Sequence, residues 1–268
     1  MEQKEWKPAQ REQSVAYLKE DDMIVRGYRH SEIVENMTFT EAFFLTLRGR
    51  LPKPDETKVL DACLNGLLAY ELWTITAIVA PARPQEAYSA FEASYKMGGN
   101  YAMFPQHCAE LILESYDLMK KENIDIKEAA VRVVKKCKEE RRIIPGLGHD
   151  IFKKVDPRSA AVRKVAEKYG FVGEKTLLFE AIHAEFIKTS PKLANMCINI
   201  DGMLACIYLE LGFKPVELSV MAMLTLAPGC LAHIVEQGQK RMSFDLGVLK
   251  TKYTGKIETD LPPEFKRS

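Results

Sequence analysis

One short segment of the sequence gathers side chains that could do acid–base chemistry and bind an anion. From Ile143 to Arg158 it reads Ile-Ile-Pro-Gly-Leu-Gly-His-Asp-Ile-Phe-Lys-Lys-Val-Asp-Pro-Arg. A Pro-Gly-x-Gly turn lets backbone N–H groups approach a ligand, a histidine can exchange protons, and lysine or arginine can meet phosphate or carboxylate. The candidate residues are Pro145, Gly146, Leu147, Gly148, His149, Lys153, Lys154 and Arg158.

These residues also have structural alternatives. Glycine-rich turns before helices are common, and single histidines are more often structural than catalytic. Arg158 can simply pair with Asp156, and Lys153 and Lys154 can belong to a solvated face. The segment alone therefore does not establish a site.

A further carboxylate, Asp201, lies in an otherwise apolar, helix-like run from Leu193 to Leu211. An ionised carboxylate that is buried without a partner is costly. Asp201 is therefore either a functional base or a helix cap or ion-pair partner.

The composition limits the classes of function. The chain has 268 residues, 47% of them hydrophobic and 28% charged, and its formal net charge is +1. These values exclude a disordered chain and give no overall electrostatic reason to bind nucleic acid or an anionic membrane. The six cysteines lack C-x-x-C spacing, so we expect reduced core thiols and no metal site. The polar N-terminal residues lack the apolar stretch of a signal peptide, which favours a cytoplasmic protein.

Helical periodicity extends over nearly the whole chain. Apolar residues fall on one side of residues 126–142 and again of residues 174–188. Thr38 and Glu41 have capping-box spacing, and Gly49 follows where that helix should end. Because sustained alternation bounded by hairpin turns is absent, the sequence predicts an all-α fold. Four non-helical loops are predicted, at residues 26–28, 81–84, 98–100 and 145–148.

One stretch, Leu218–Val235, is almost continuously apolar and close to the length of a membrane span. Pro228 and Gly229 interrupt it, and the flanking segments have ordinary polarity. The stretch is therefore predicted to be a helix, or a broken pair of helices, in a protein core.

The sequence resembles the citrate synthase superfamily, and within it the shorter citryl-CoA lyase-like branch. Four motifs carry the resemblance in the family's order, and they cover roughly residues 24 to 237. They are Arg26-Gly-Tyr28, the Pro145–Arg158 segment, Asn199-Ile-Asp201-Gly202, and Ala227–Gln237.

The resemblance implies bond making or breaking at the α-carbon of an acyl-CoA. Asp201 would exchange the α-proton, and His149 would exchange a proton with the carbonyl or hydroxyl of the other partner. Arg158 would bind a substrate carboxylate. The Pro145–Gly148 turn and the two lysines after His149 would contact coenzyme A, and no metal or redox cofactor is implied.

Four positions depart from the family pattern. Tyr70 and Tyr101 stand where the family has histidines. Two family arginines that bind the carboxylates of oxaloacetate or citrate are missing, with Leu226 in the place of one and Asp245 near the place of the other. Loss of those bidentate clamps argues against a dicarboxylate partner. We expect Tyr70 to donate a hydrogen bond to the enolate, whereas Tyr101 is either a substrate contact or a packing aromatic.

The resemblance also implies an architecture. Residues 1–107 and 207–268 would form a large helical domain and residues 108–206 a small one, with the active-site cleft between them. A homodimer is expected, with the apolar Leu218–Val235 helix as its interface. Three functions stay open: a C–C lyase acting on a hydroxyacyl-CoA less acidic than citryl-CoA, a condensing synthase, and a non-catalytic acyl-CoA-binding regulatory subunit.

The substitution Tyr70→Phe tests the expected role of the tyrosine. It removes one proton donor and keeps the ring, so turnover should fall roughly a hundred- to thousandfold while substrate affinity changes far less. Steady-state kinetics with an acyl-CoA substrate measures both quantities. If turnover stays intact, Tyr70 only packs.

Overall fold

The computed structural model describes residues 14–68, 87–238 and 262. A three-stranded antiparallel sheet comes first, and helices follow. The strands are β1 Ala16–Lys19, β2 Asp22–Val25 and β3 Tyr28–Arg29. The helices are α1 His30–Asn36, α2 Phe39–Arg48, α3 Pro54–Asn65, α4 Ala87–Glu122, α5 Ile126–Glu139, α6 Pro157–Lys168, α7 Glu174–Lys188, the 3₁₀ turn Pro191–Leu193, α8 Ile200–Glu210 and α9 Pro215–Gly238.

Local sequence signals explain several helix ends. Thr38 and Glu41 form the predicted capping box at the start of α2, and Gly49 ends the helix in the left-handed conformation, with φ 72°. Asp125 caps α5 by accepting a hydrogen bond from the N–H of Glu128. These short-range contacts place the helices before any tertiary packing acts on them.

Helix α8 lies at the centre of the main core. Every residue from Gly202 to Leu209 is buried, and α4, α6 and α7 all pack around this helix. Each fully buried leucine or isoleucine stabilises the fold by roughly 1.5–3 kcal/mol. The first turn of α8 is consequently held from several sides, and Asp201 lies in that turn.

The sheet is the element that periodicity did not predict. Strands β1 and β2 pair from Ala16 opposite Val25 to Lys19 opposite Asp22. In the central strand β2 the two buried residues, Ile24 and Val25, are consecutive, and Val25 packs with Ile33 of α1 and Leu45 of α2. The period-2 signal was therefore missing.

Predicted and observed elements otherwise agree in most places. The all-α class is confirmed, and α7 spans the predicted residues 174–188. The loop at residues 145–148 is present, and the one at residues 26–28 is a turn at 26–27, with Tyr28 beginning β3. The predicted loop at residues 98–100 is wrong, since α4 runs through it as helix. The loop predicted at residues 81–84 lies outside the described residues.

The long apolar stretch forms one helix rather than a broken pair. Helix α9 runs through Pro228 and packs along α4. Among the described helices it is the one long and apolar enough to cross a membrane by length and composition, over Pro215–Ala232. The six cysteines are all buried, as predicted for core thiols. The division into two domains at residues 108 and 207 stays a prediction.

Candidate active site

The Pro145–Gly148 turn lies against the start of α8. Leu147 forms an antiparallel bridge with Ile198, and the N–H of Gly148 donates to the carbonyl of Cys197 at 2.7 Å. The N–H of Asn199 in turn donates to the carbonyl of Gly146 at 2.9 Å. These bonds fix the predicted histidine loop beside the predicted aspartate helix.

Glycine is required at the point of closest approach. Gly146 has φ 87°, and a Cβ added there would lie 2.7 Å from the Cα of Gly202. A Cβ on Gly202 would lie 2.8 Å from the carbonyl oxygen of Gly146. Real Cβ atoms do not tolerate such distances from backbone, so both glycines serve the contact between turn and helix.

Asn199 joins the two parts with its side chain. Its Oδ1 accepts from the N–H of Gly202 at 3.1 Å and caps α8, and its Nδ2 donates to the carbonyl of Gly148 at 2.9 Å. The same side chain thus begins the helix of Asp201 and holds the residue before His149.

His149 is held by backbone donors. Its Nδ1 accepts from the N–H groups of Ile151 at 3.0 Å and Phe152 at 3.1 Å. A neutral imidazole with an accepting Nδ1 carries its proton on Nε2, and we assign this tautomer from the two donors. The ring of Phe152 lies 4.8 Å from the imidazole, between centroids. Nε2–H is therefore the proton that His149 can give to a ligand.

Arg158 lies beside that nitrogen. Its Nη2 is 3.0 Å from Nε2 of His149. The guanidinium also makes a two-pronged contact with Asp156, from Nε to Oδ1 at 3.0 Å and from Nη2 to Oδ2 at 2.9 Å. The ion pair named as the alternative role of Arg158 is thus present, while its role in binding a substrate stays a prediction.

Asp201 is the second residue of α8 and is partly buried. The pKa of this carboxyl is raised from 3.8 to about 6, chiefly because of burial. The positive charge of Arg158 lowers this pKa, and the negative charge of Asp156 raises it. A base with this pKa is mainly ionised at neutral pH, yet it binds a proton more readily than an exposed aspartate. The carboxylate is suited to remove a weakly acidic proton.

A cleft of about 500 Å³ opens beside the histidine loop. Its lining combines apolar side chains with the cationic Lys153 and Lys192. Lys153 also donates from Nζ to the carbonyl of His149 at 3.1 Å. The lining residues are Leu147, Gly148, His149, Asp150, Phe152, Lys153, Lys192, Leu193, Asn195 and Met196.

The remaining candidates stand as follows. Lys154 is exposed. Leu226 is partly buried and packs against the main core. Tyr101 belongs to α4, whose backbone is described at that position. Tyr70 and Asp245 lie outside the described residues.

Sequence reasoning did not identify Lys192 or Phe152 as contributors, and it named Asp156 only as the alternative partner of Arg158. Lys192 lines the cleft from a segment remote from the histidine motif. Phe152 packs on His149, and Asp156 pairs with Arg158. A signal for Asp156 was available, because Asp followed by Pro157 is a typical start of a helix.

The described residues thus place His149 at the cleft, on a loop that is hydrogen-bonded to the start of the helix carrying Asp201. This arrangement makes a candidate acid–base site in an all-α protein. The family model for citrate synthase, C-terminal domain, matches residues 105–244, slightly more than half of the chain. The chain belongs to the citrate synthase family.

Individual relatives support this membership. Citrate synthase 2 of Bacillus subtilis (strain 168) is 27% identical over 217 residues, which are 80% of this chain and 56% of the relative. The chain thus spans about half the length of the curated relatives it matches, or less.

Solved structures show the same fold. A citryl-CoA lyase from Hydrogenobacter thermophilus is 24% identical and superposes with a TM-score of 0.75, covering 96% of this chain and 99% of that one. An ATP citrate lyase from Methanothrix soehngenii, in complex with citrate and coenzyme A, is 16% identical with a TM-score of 0.70, covering 93% of this chain and 43% of that one.

The raised pKa of Asp201 makes a prediction about stability. The folded protein favours the protonated form of the Asp201 carboxyl. The stability that this preference contributes is fully present below the pKa of the carboxyl in the unfolded chain, 3.8, and is lost as the pH rises through about 6. Asp201→Asn, which is neutral at every pH, should therefore raise the free energy of unfolding at pH 8 by on the order of 2 kcal/mol. The gain should vanish near pH ~4.

Urea unfolding of both proteins at the two pH values measures this difference. Asp125→Asn is the matched control, because asparagine caps a helix as well as aspartate does and the change should stay within about 0.5 kcal/mol. Destabilisation by Asp201→Asn at pH 8 would instead mean that the carboxylate is a structural ion-pair partner.

Proposed function

We propose that the chain is a carbon–carbon lyase of the citryl-CoA lyase type, acting on a hydroxyacyl-CoA through a thioester enolate. The observation that carries this proposal is the joint placement of His149 and Asp201 by the bonds between the Pro145–Gly148 turn and the start of α8. An acid and a base that are fixed relative to each other suit a reaction in which two proton transfers accompany one carbon–carbon bond.

The chemistry is simplest to follow in the condensing direction. Asp201 takes the α-proton of the acyl-CoA, and the resulting enolate carbon attacks the carbonyl carbon of the partner. The carbonyl oxygen gains the Nε2 proton of His149 and becomes the hydroxyl. Cleavage is the reverse: the hydroxyl proton returns to Nε2, the carbon–carbon bond breaks, and Asp201 protonates the enolate carbon.

The surroundings of His149 favour this exchange. After Nε2 gives up its proton, the ring accepts hydrogen bonds from two backbone N–H groups at Nδ1 and from the guanidinium of Arg158 at Nε2. Three donors therefore stabilise the charge left on the imidazole. The two backbone donors are in place before the reaction, whereas the guanidinium, which can only donate, bonds to Nε2 once the proton has left.

The cleft beside the histidine loop suits a coenzyme A thioester. The cleft offers apolar surface to a pantetheine arm from Leu147, Phe152, Leu193 and Met196. The two lysines of the cleft, Lys153 and Lys192, offer positive charge to phosphates. The ATP citrate lyase of the same fold was solved in complex with citrate and coenzyme A, which supports a coenzyme A ligand for this chain.

The part of the substrate outside coenzyme A is proposed to be less acidic than citrate. Leu226 stands where the family resemblance places a carboxylate-binding arginine, and it packs against the core. Arg158 is already paired with Asp156. Both observations favour a partner with fewer carboxylates.

Proton exchange tests the function without knowledge of the partner. The protein should exchange the methyl protons of acetyl-CoA with D₂O, and Asp201→Asn should slow this exchange about a hundredfold or more because the base is lost. The rate should also fall as the pH drops below about 6, where Asp201 becomes protonated. Proton NMR of acetyl-CoA measures the rate, and Asp125→Asn is the control.

Undiminished exchange in Asp201→Asn would exclude this mechanism. Binding of acetyl-CoA by calorimetry without any exchange would favour a regulatory acyl-CoA-binding subunit. Exchange together with net formation of product from acetyl-CoA and a 2-oxo acid would favour the condensing synthase.

The proposed assembly is a homodimer formed through α9. Val216, Val220, Leu231 and Val235 are 46–64% exposed and follow one another at helical spacings of 4, 11 and 4 residues, which places them on one face. An exposed apolar stripe of this kind marks an interaction surface. A cytoplasmic location remains part of the same proposal.

Val220→Glu tests the interface, since it places a charge in the stripe. Light scattering at micromolar concentration should show a dimer for the unaltered chain and a monomer for the variant. Val131→Glu on α5 is the matched control, because Val131 is also exposed, at 41%, and lies outside the stripe. A monomer before any substitution would contradict the proposed dimer.

A further inference from the structure

Asp156 makes more contacts than a helix cap needs. It is 1% exposed and begins α6. Its Oδ1 accepts from the N–H and the Nε of Arg158, both at 3.0 Å, and its Oδ2 accepts from Nη2 of Arg158 at 2.9 Å and from the N–H of Ile200 at 2.9 Å. Asp125, which also caps a helix, accepts one N–H with its side chain, at 2.8 Å. The additional bonds of Asp156 therefore serve another purpose.

Those bonds connect Asp156 to the surroundings of both His149 and Asp201, the two halves of the site. Through Arg158, Asp156 fixes the guanidinium that lies 3.0 Å from Nε2 of His149. Through its second oxygen, it holds the N–H of Ile200, the residue directly before Asp201. Four hydrogen bonds to a single buried carboxylate leave neither half free to shift independently.

We propose that Asp156 is the positioning residue of this site: it holds the acid His149 and the base Asp201 at a fixed separation, and it balances the charge of Arg158 beside the base. The proposal rests on the proposed function for its catalytic consequence. Its structural content, the coupling of Asp156 and Arg158 to Asp201, stands on the hydrogen bonds alone.

The charges around Asp201 support the balance. From the start of α6, Arg158 lowers the pKa of Asp201 and Asp156 raises it, while burial makes the largest contribution. From α4 the Cys108 thiol faces the same carboxylate, whose charge adds to burial in raising the pKa of that thiol. Asp156 itself is kept ionised, because the bonds and charge of Arg158 outweigh its burial and lower its pKa. Removing one member of the pair leaves the opposite charge uncompensated beside Asp201.

The experiment compares two substitutions that should shift one titration in opposite directions. Asp156→Asn leaves Arg158 uncompensated and should lower the pKa of Asp201, whereas Arg158→Met leaves Asp156 uncompensated and should raise it, each by about one unit. NMR titration of ¹³C-labelled aspartate carboxyls measures the pKa, and the resonance is assigned by its loss in Asp201→Asn. Asp125→Asn should leave it unchanged.

An Asp201 pKa that is the same in both folded variants would overturn the proposal. If Asp156→Asn does not fold, the upward shift in Arg158→Met decides the question. If Asp156 were only a structural cap, its replacement would lower the melting temperature and leave the pKa of Asp201 unchanged, as expected for Asp125→Asn.

Exchange kinetics test the catalytic consequence. In Asp156→Asn the turnover of acetyl-CoA proton exchange should fall roughly ten- to a hundredfold, since a displacement of about 1 Å costs on the order of a hundredfold. The KM should stay within about threefold, and the acidic limb of kcat/KM should move to lower pH with the pKa of Asp201. Turnover equal to that of Asp125→Asn would remove the catalytic role. Absence of exchange in the unaltered protein would contradict the proposed function, and the NMR titration would then decide the positioning role by itself.

Discussion

Two glycines meet where the histidine loop crosses the first turn of α8, and the geometry of the site depends on this contact. Because neither Gly146 nor Gly202 has a side chain, the backbone of the loop reaches the backbone of the helix. The close approach also brings the carbonyl of Gly148 within reach of Nδ2 of Asn199. The core around α8 fixes the helix. Because the loop that carries His149 is bonded to this helix, the loop is held in place as well.

At the proposed site, the basicity of Asp201 and the stability of the fold oppose each other. Asp201 gains basicity because its carboxylate is removed from water, and the same removal destabilises the folded protein at neutral pH. The helix start offsets part of this cost, since the N-terminal end of a helix favours negative charge. The large apolar core on the other turns of α8 supplies the stability that a partly buried carboxylate requires.

The parts of the structure that sequence could predict are those with local causes. The ends of α2 and α7 follow from a capping box and from periodicity, and the four family motifs identified His149 and Asp201 without coordinates. The helix through residues 98–100 was missed because two glycines cost about 1 kcal/mol each in a helix, and tertiary packing of α4, chiefly along α9, offsets that cost. The contact of Asp156 with Ile200 was missed for a similar reason, since Ile200 lies 44 residues further along the chain.

The six buried cysteines can serve as natural probes of local unfolding in this chain. Thiolates react with alkylating agents, and burial raises the pKa of Cys63, Cys108 and Cys206. Each thiol reacts only when its surroundings open, so its alkylation rate reports a local free energy of opening. Cys63 lies on α3, Cys137 on α5 and Cys206 on α8, which allows the packing of three helices to be followed separately in the unaltered protein.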